Sequence, residues 1–326
     1  ATMYPLLLAI YSLYTTDAKP TRFGKGLFIG MAFVAGAGSI ITLLGAARGI
    51  IALSFFTEFT KQEISFFELS YYMFPIGWLM VFLLWGFFMI VLKPEKDRIP
   101  GLREKARQLN SEMGSFSRDE IISAVIVAGC ILFLSLQSFI PALQAFNKAA
   151  VLLVGTILFF TFKILDIHDL EEIPLNIVFL FAGAMSIGFC LWQTGAAEWL
   201  AINWLGLFKE SHWFVFVMGI AVFIMIMTNF IMNVAAIAIS LPVALVVAPY
   251  LGVAGHIILF VALTVAGMPF LLLVGAAPNA IAYNSKQFTS GEFFAYGIPA
   301  SILLLIVLGL FIVFIWPIMG MPVTLN

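Results

Sequence analysis

The sequence predicts an all-α polytopic membrane protein made of two inverted repeats that contain broken helices and re-entrant hairpins. Three observations support this prediction. The 326 residues are 63% hydrophobic and only 10% charged, which is more apolar surface than a soluble domain can bury. Apolar stretches close to the ~20 residues that a helix needs to cross a bilayer recur along the chain. Finally, two short segments of the chain repeat each other.

Composition also argues against several other classes of protein. A transmembrane barrel would show alternating segments of ~10 residues, whereas the apolar runs here are continuous. The net charge of -1 comes without a basic stripe for nucleic acid. Cys130 and Cys190 lie in apolar stretches, so we expect neither a disulfide nor a redox role. The three histidines lack a second ligand at metal-binding spacing, and we interpret them as interfacial residues.

The predicted segments begin with an apolar arm that is too short to span a bilayer alone. Because this arm also lacks an initiating Met, we expect an N-terminally truncated chain. We assign residues 1–92 to an incomplete first repeat, 93–118 to a polar linker and 119–326 to the second repeat. The predicted apolar segments are 1–15, 24–57 (broken near 45–49), 70–92, 119–140, 146–163, 174–201, 213–250 (folded at about 229–233), 256–283 and 292–316.

The internal repeat consists of residues 45–52 (GAARGIIA) and 275–282 (GAAPNAIA), which agree at five of eight positions. Each copy interrupts a long apolar run. Each is also followed by a similarly spaced Glu, Tyr and Pro, namely Glu68, Tyr72 and Pro75 and then Glu292, Tyr296 and Pro299. Weak repeats with broken apolar segments at corresponding places are typical of secondary transporters and indicate where the substrate binds.

The distribution of basic residues predicts the orientation in the membrane. Short basic loops remain cytoplasmic, so we place the linker inside. This choice puts twelve basic residues inside and three outside and leaves Arg48 within the membrane. The two copies then run in opposite directions, and the C-terminus lies outside. The twelve inside are Lys19, Arg22, Lys25, Lys93, Lys96, Arg98, Arg103, Lys105, Arg107, Arg118, Lys163 and Lys286; the three outside are Lys61, Lys148 and Lys209.

Two places in the second repeat have polar or helix-breaking residues at membrane depth. In residues 275–279, Pro278 lacks an N–H donor and Gly275 permits unusual dihedral angles. Opened carbonyls there can coordinate Na⁺, and the following half-helix favours an anion at its N-terminus; a packing kink without a ligand is the alternative. In residues 228–234, Thr228, Asn229 and Asn233 offer side-chain oxygens for an ion, or hydrogen bonds that hold helices together.

At these positions the chain resembles the divalent anion/sodium symporters (DASS) of the ion transporter superfamily, which carry dicarboxylates, citrate or sulfate. Asn233 followed by Pro242 sits where this family has a Ser-Asn-Thr hairpin tip, and residues 275–279 are similar to its Ala-Thr-Pro-Pro-Asn loop. Residues 181–184 and 194–200 are similar to its Gly-Gly helix ending in Thr-Gly-Leu-Ala. The linker, from 99 to 120, also has the family's pattern.

The resemblance implies a homodimer in the lipid bilayer, with a scaffold domain and a transport domain that moves like an elevator. It implies two Na⁺ sites and one site for a small anionic substrate. One Na⁺ site would use Thr228, Ile231, Asn233 and Gly275, while the other, incomplete in this sequence, would retain Gly45. The family pattern implies substrate-binding positions at Ala46, Asn233, Val234, Ala276, Ala277, Pro278 and Asn279. We add Arg48 to these as a candidate substrate-binding residue.

The chain departs from the family pattern at several of these positions. Met232 and Val234 replace a Ser and a Thr, so two hydroxyl groups are missing. In the first copy, Ala46 to Gly49 replace Thr-Pro-Pro-Asn. Arg48 is the sharpest departure, because a charge at membrane depth costs ~2.5–3.5 kcal/mol or more. We consider three roles: binding a substrate carboxylate or sulfate, standing in for a Na⁺ charge, or snorkelling or pairing with Glu58 or Glu68.

We therefore predict a Na⁺-coupled symporter of a small divalent anion, with a dicarboxylate as the first candidate, and no enzyme activity. We expect it in the cell's inner (plasma) membrane. The alternatives are another permease of the superfamily, of the arsenite type or a proton-coupled antiporter, and a non-transporting fragment. Proton antiport usually needs a carboxylate within the membrane, and the candidates Glu68, Glu198 and Glu292 all lie close to the ends of predicted spans.

Overall fold

The computed structural model describes residues 3–15, 19–46, 48–96, 116–137, 148–166 and 212–325, together with scattered positions between these ranges. Over these ranges the chain is helical, with an isolated antiparallel bridge between Val253 and Thr324. In chain order the helices are α1 (Met3–Tyr14), α2 (Arg22–Gly38), α3 (Arg48–Thr60), α4 (Phe66–Val91), α5 (Arg118–Leu136), α6 (Lys148–Thr161), α7 (Trp213–Phe230), α8 (Asn233–Val247), α9 (Gly255–Ala266), α10 (Ala277–Tyr283) and α11 (Ser290–Leu310).

Helices long and apolar enough to cross a membrane confirm an all-helical integral membrane protein. In the described part of the chain there are five of them, at Phe66–Val91, Arg118–Leu136, Trp213–Phe230, Asn233–Leu251 and Ser290–Ile318. The last one continues from α11 through a π-helical turn, Phe311–Ile315, to Ile318. Most of the predicted span 174–201 and half of the linker lie outside the described residues.

The described residues divide into two compact units. The first unit draws on residues 1–64, 69–97 and 179–326, and the second on residues 65–68 and 98–178. In the second unit α5 packs against α6, beside an apolar cavity of about 740 Å³.

Local sequence explains where several helices begin. α5 starts with a capping box in which Ser117 and Glu120 satisfy each other's backbone N–H groups, and Thr289 and Glu292 do the same for α11. The hydroxyl group of Thr21 accepts the N–H of Gly24 at the start of α2. Each of these caps satisfies donors that the first turn of a helix leaves free.

Two interruptions in the first unit position the candidate site. We call residues 39–46, between α2 and α3, the first break, and residues 267–276, between α9 and α10, the second break. The prediction located only the far end of each interruption, since α2 already ends at Gly38 and α9 at Ala266. The hydroxyl group of Ser39 donates to the carbonyl of Gly36 at 2.6 Å and so closes the last turn of α2.

Packing in the first unit brings the two breaks together. α3, which follows the first break, packs against α8 and α9, and α10, which follows the second break, packs against α2. α7 and α8 form a hairpin with its tip at residues 231–232. The two helices pack against each other, and both pack against α9. Both half-helices therefore contact the helix that leads into the opposite break.

Candidate functional site

The two breaks have the same local backbone plan. Each contains a 3₁₀ turn, Leu43–Gly45 in the first and Leu273–Gly275 in the second. An extended alanine follows each turn, with φ −166° and ψ 149° at Ala46 and φ −153° and ψ 150° at Ala276. The next half-helix begins directly after, at Arg48 or Ala277. The sequence repeat thus marks a repeated backbone conformation.

The glycine that ends each 3₁₀ turn is required by close backbone approach. A methyl group added to Gly45 would lie 2.2 Å from the carbonyl oxygen of Ser39. One added to Gly275 would lie 2.7 Å from Cβ of Pro269 and 3.1 Å from the carbonyl oxygen of Thr228. Each glycine therefore packs on the start of its own break, and Gly275 also lies against the hairpin.

Two buried asparagines hold the second break in its shape. Oδ1 of Asn229 accepts the backbone N–H groups of Leu271 at 2.9 Å and Leu272 at 3.0 Å, while its Nδ2 donates to the carbonyl of Met225. Nδ2 of Asn279 donates to the carbonyls of Pro269 at 2.9 Å and Leu272 at 3.1 Å. Both side chains thereby satisfy backbone groups that would be costly to leave unpaired within a bilayer.

Oxygen atoms from the hairpin and from α9 meet beside Gly275. The hydroxyl group of Thr228 lies 2.9 Å from Oδ1 of Asn233 and 3.2 Å from the carbonyl oxygen of Ala266. Thr228 is fully buried, and its own carbonyl oxygen faces Gly275. Thr228 and Ala266 lie at the C-terminal ends of α7 and α9, where the helix dipole favours a cation, whereas Asn233 begins α8 and contributes its side-chain oxygen.

The hairpin tip is apolar where the family pattern has hydroxyl groups. Ile231 and Met232 are both buried, and Ile231 packs with Met227, Ala235 and Ile239. Met232 precedes α8 without a side-chain cap. At residues 231–232, therefore, a polar ligand could bind backbone groups but not side-chain groups.

The half-helix that follows the first break begins with a buried arginine. Arg48 is 5% exposed, and its Nη2 donates to the hydroxyl oxygen of Ser39 at 2.8 Å. A methyl group added to Gly267, in the second break, would lie 2.7 Å from the same Nη2. Among the described residues no carboxylate lies within ion-pair distance of the guanidinium group. Arg48 therefore neither snorkels to an interface nor pairs with the described Glu58.

A small cavity of about 10 Å³ adjoins Arg48, which is close to the space that one water molecule needs. Polar groups reach it from the first break, and apolar side chains come from α4 and α9. The lining residues include Ser39, Thr42, Ala46, Arg48, Met73 and Leu263.

Polar contacts at the other end of α2 anchor the helix that leads into the first break. Lys25 forms an ion pair with Glu292 at the start of α11, and the hydroxyl group of Tyr11 donates to Gln287. The carboxylate of Glu95 accepts the backbone N–H groups of Arg22 and Phe23. Partial burial opposes ionisation of Glu95, but these N–H donors and the Tyr14 hydroxyl outweigh it and lower its pKa.

The structure brings most of the predicted site residues into one region. Thr228, Asn233 and Gly275 are neighbours, and Ile231 lies at the tip between the first two. Ala46 and Arg48 line the cavity at the first break, while Asn279 and Ala276 shape the second. Asn229 was seen in the sequence only as one of several possible oxygen donors, and its structural task of holding residues 271 and 272 was missed.

Comparison with known proteins shows which family the chain belongs to. The family described as the sodium:sulfate symporter transmembrane region matches residues 1–322. The sodium-dependent dicarboxylate transporter SdcS of Staphylococcus saprophyticus is 23% identical over 99% of this chain and 66% of its own length. An uncharacterised transporter of Methanocaldococcus jannaschii is 27% identical over 93% of this chain and 66% of its own.

The chain therefore spans slightly less than two thirds of the length of these relatives. SdcS of Staphylococcus aureus is also similar, with 23% identity over 94% of this chain and 64% of the relative. These relatives are transporters rather than enzymes, as the sequence predicted. The match over residues 1–322 confirms the resemblance seen in the motifs, and the chain belongs to the sodium:sulfate symporter family, the DASS family.

Proposed function

We propose that this protein is a Na⁺-coupled symporter of a small divalent anion, with a dicarboxylate as the first candidate. Membership of the sodium:sulfate symporter family supports cation-coupled anion transport. The similarity to sodium-dependent dicarboxylate transporters supports the choice of substrate class. Of the structural observations, the one that carries the proposal is the cluster of uncharged oxygens around Thr228, Asn233 and Gly275.

The Na⁺ site that we propose uses Thr228, Ile231, Asn233 and Gly275. Unwound carbonyls and the C-terminal ends of half-helices are the usual Na⁺ ligands in transporters built from broken helices. Here the Thr228 hydroxyl and the Asn233 amide oxygen lie 2.9 Å apart. Within the described residues no group of three or more His, Cys, Asp or Glu side chains could hold a metal ion, so a weakly binding, uncharged oxygen site fits a monovalent cation better than a divalent one.

The anion site that we propose lies between the hairpin tip and the two breaks, at Asn233, Val234 and residues 276–279, with Ala46 opposite. Because the tip lacks hydroxyl groups, backbone N–H groups at the uncapped start of α8 are the donors that remain there. Asn279 would act indirectly, since its amide nitrogen already donates to two carbonyls of the second break. Its task would be to keep the loop open for the substrate.

Coupling follows from the contacts between hairpin and break. Na⁺ at Thr228 and Gly275 would hold the hairpin tip against the second break and so complete the anion site. The loaded domain would then move across the membrane as an elevator, in a homodimer. The reciprocal packing of α3 on α9 and α10 on α2 supports two inverted repeats that face one central site.

Transport into proteoliposomes tests this proposal. We expect uptake of labelled succinate, citrate or sulfate when a Na⁺ gradient points inward, and little uptake when choline replaces Na⁺. Uptake that is unaffected by Na⁺ but driven by a proton gradient would contradict the coupling ion. Absence of uptake for all three anions, from protein that still binds Na⁺, would contradict the function itself.

A further inference from the structure

The ends of two helices meet beside Arg48. A methyl group added to Gly36, in the last turn of α2, would lie 3.1 Å from the carbonyl oxygen of Gly267. Gly267 directly follows the last residue of α9. The carbonyl ends of α2 and α9 are therefore in contact, and both breaks begin at this point.

The guanidinium group of Arg48 lies against both helix ends. Its Nη2 donates to the Ser39 hydroxyl, which in turn donates to the carbonyl of Gly36 in α2. On the other side the group lies over Gly267, at the end of α9. Arg48 is the first residue of α3, and the dipole of this helix disfavours a positive charge at its N-terminus. The favourable interaction of the guanidinium group therefore comes from the C-terminal ends of α2 and α9.

Helix dipoles at this junction favour a fixed positive charge. Each helix C-terminus acts as roughly −0.5 of an elementary charge, so the ends of α2 and α9 together outweigh the roughly +0.5 at the start of α3. Arg48 is 5% exposed, and none of the described carboxylates pairs with it. At the second break the corresponding cluster of Thr228, Asn233 and Gly275 contains no charged side chain.

We propose that Arg48 is a tethered cation that takes the place of one coupling ion, so that only the cluster at the second break binds a soluble Na⁺. This inference rests on the proposed Na⁺-coupled function and specifies its stoichiometry. The half-helix after the second break carries Pro278 at the position corresponding to Arg48, which leaves the oxygens beside Gly275 for a soluble ion. The first break supplies its positive charge from the chain itself.

The size of the cavity separates this role from that of a substrate anchor. A space of about 10 Å³ beside Arg48 accepts about one water molecule, far less than a dicarboxylate requires. The hydrogen bond to Ser39 and the contact with Gly267 also direct the guanidinium group towards protein atoms. Arg48 therefore stabilises the junction between the breaks.

The test compares Na⁺-dependent thermal stability of the purified wild type with that of Arg48→Gln, Arg48→Lys and Arg22→Gln, with choline keeping the ionic strength constant. A ligand that binds the folded state stabilises it in proportion to the logarithm of its concentration, and the slope counts bound ions. We expect a one-ion slope for the wild type and about twice that slope for Arg48→Gln. Arg48→Lys retains the charge and Arg22 is exposed, so both variants should keep the wild-type slope.

Four results would overturn the inference. Three concern the slope: a two-ion slope for the wild type, a slope for Arg48→Gln equal to that of the wild type, or a slope for Arg48→Lys as steep as the one expected for Arg48→Gln. The fourth is that Arg48→Gln keeps the wild-type slope but is no longer stabilised by succinate or sulfate at saturating Na⁺. If Arg48→Gln does not fold, the wild-type slope decides. A wild type that shows the one-ion slope but transports none of the tested anions would contradict the proposed function and leave the ion count standing.

Discussion

The first and second breaks share a backbone conformation but hold it by different means. In the second, the amides of Asn229 and Asn279 bind four backbone groups of the loop. In the first, Gly49 stands where Asn279 stands in the second, and the guanidinium group of Arg48 reaches the loop through Ser39. A repeated fold can thus keep its shape while one copy exchanges neutral hydrogen bonds for a fixed positive charge.

This difference has a functional consequence under the proposed account. The neutral copy retains a cluster of oxygens that suits a soluble cation, whereas the charged copy has already filled the corresponding electrostatic role. Two similar loops would then contribute unequally to ion coupling. Four sets of substitutions, from the largest expected effect to the smallest, test how far the similarity and the difference extend.

Alanine at the two repeated glycines tests the shared conformation. We expect Gly45→Ala to destabilise the protein by about 3 kcal/mol, at the upper end for overpacking, because the new methyl group would lie 2.2 Å from a backbone oxygen. Gly275→Ala should cost less, about 2 kcal/mol, since its nearest neighbour is a Pro269 side-chain atom at 2.7 Å. Thermal unfolding in detergent measures both.

The matched control for this pair is Gly38→Ala at the end of α2, where an added methyl group meets nothing within 4 Å. It should leave the unfolding temperature nearly unchanged. Equal tolerance of alanine at Gly45 and Gly38 would mean that the first break does not require its close approach to Ser39.

Aspartate at the two asparagines tests how the second break is held. Asn279 donates to two carbonyls, so Asn279→Asp would place a carboxylate against acceptors and should cost about 3 kcal/mol. Asn229 accepts two N–H groups through Oδ1, so Asn229→Asp keeps those bonds and sets a carboxylate oxygen against only one carbonyl, that of Met225, at about 1–2 kcal/mol. Urea or thermal unfolding orders the two, and the reverse order would contradict the assigned hydrogen bonds.

Valine at Thr228 tests the neutral cation site. Removing the hydroxyl group takes away one proposed ligand, and we expect the Na⁺ concentration for half-maximal uptake to rise about tenfold, which corresponds to ~1.4 kcal/mol. Thr264→Val is the matched control, because Thr264 is equally buried but its hydroxyl group donates to Phe260 within its own helix. If both variants respond equally to Na⁺, the effect of Thr228 is one of packing.

Glutamine at Glu95 tests a difference between the N-terminal ends of α2 and α9, the helices that lead into the two breaks. The start of α2 is capped by Glu95 and Thr21, whereas the start of α9 has no side-chain cap. Because the folded-state pKa of Glu95 is lowered, its contribution is present above the pKa of the unfolded chain and is lost as pH falls through the folded pKa. The side chain is largely exposed, so Glu95→Gln should cost only ~0.3–1 kcal/mol at pH 7.

The pH profile provides the check on Glu95. The stability difference between wild type and Glu95→Gln should shrink as pH is lowered below the ordinary glutamate pKa of ~4.3. A difference that persists unchanged at the lowest pH would mean that the carboxylate is not the group that caps α2.

Much of this arrangement is visible in the sequence, but the length and contacts of the breaks are not. Gly45 and Gly275 marked the junctions with the half-helices, because glycine and proline stand out in an apolar run. Residues 39–44 and 267–272 are largely apolar, so composition did not distinguish their break in the α-helix from a continuous helix, although Pro269 was a signal. The hydrogen bonds from Asn229 to residues 271 and 272 span more than forty positions, and local patterns do not predict such pairs.

The same limit applies to Arg48. The sequence alone showed that Arg48 lies in the first copy of the repeat and that its charge is costly at membrane depth. Its contact with Gly267 depends on how α2 and α9 meet, which only the tertiary structure shows. The three predicted roles for Arg48 were therefore open until its neighbours were known.

The central claim, that one break uses a tethered cation and the other a soluble one, is tested most directly by the coupling ratio of transport. In proteoliposomes with the voltage held at zero, the substrate gradient that just cancels net flux is measured against a series of imposed Na⁺ gradients. The account predicts that the logarithms of the two gradients balance with a ratio of one Na⁺ per anion. A ratio of two Na⁺ per anion would contradict it.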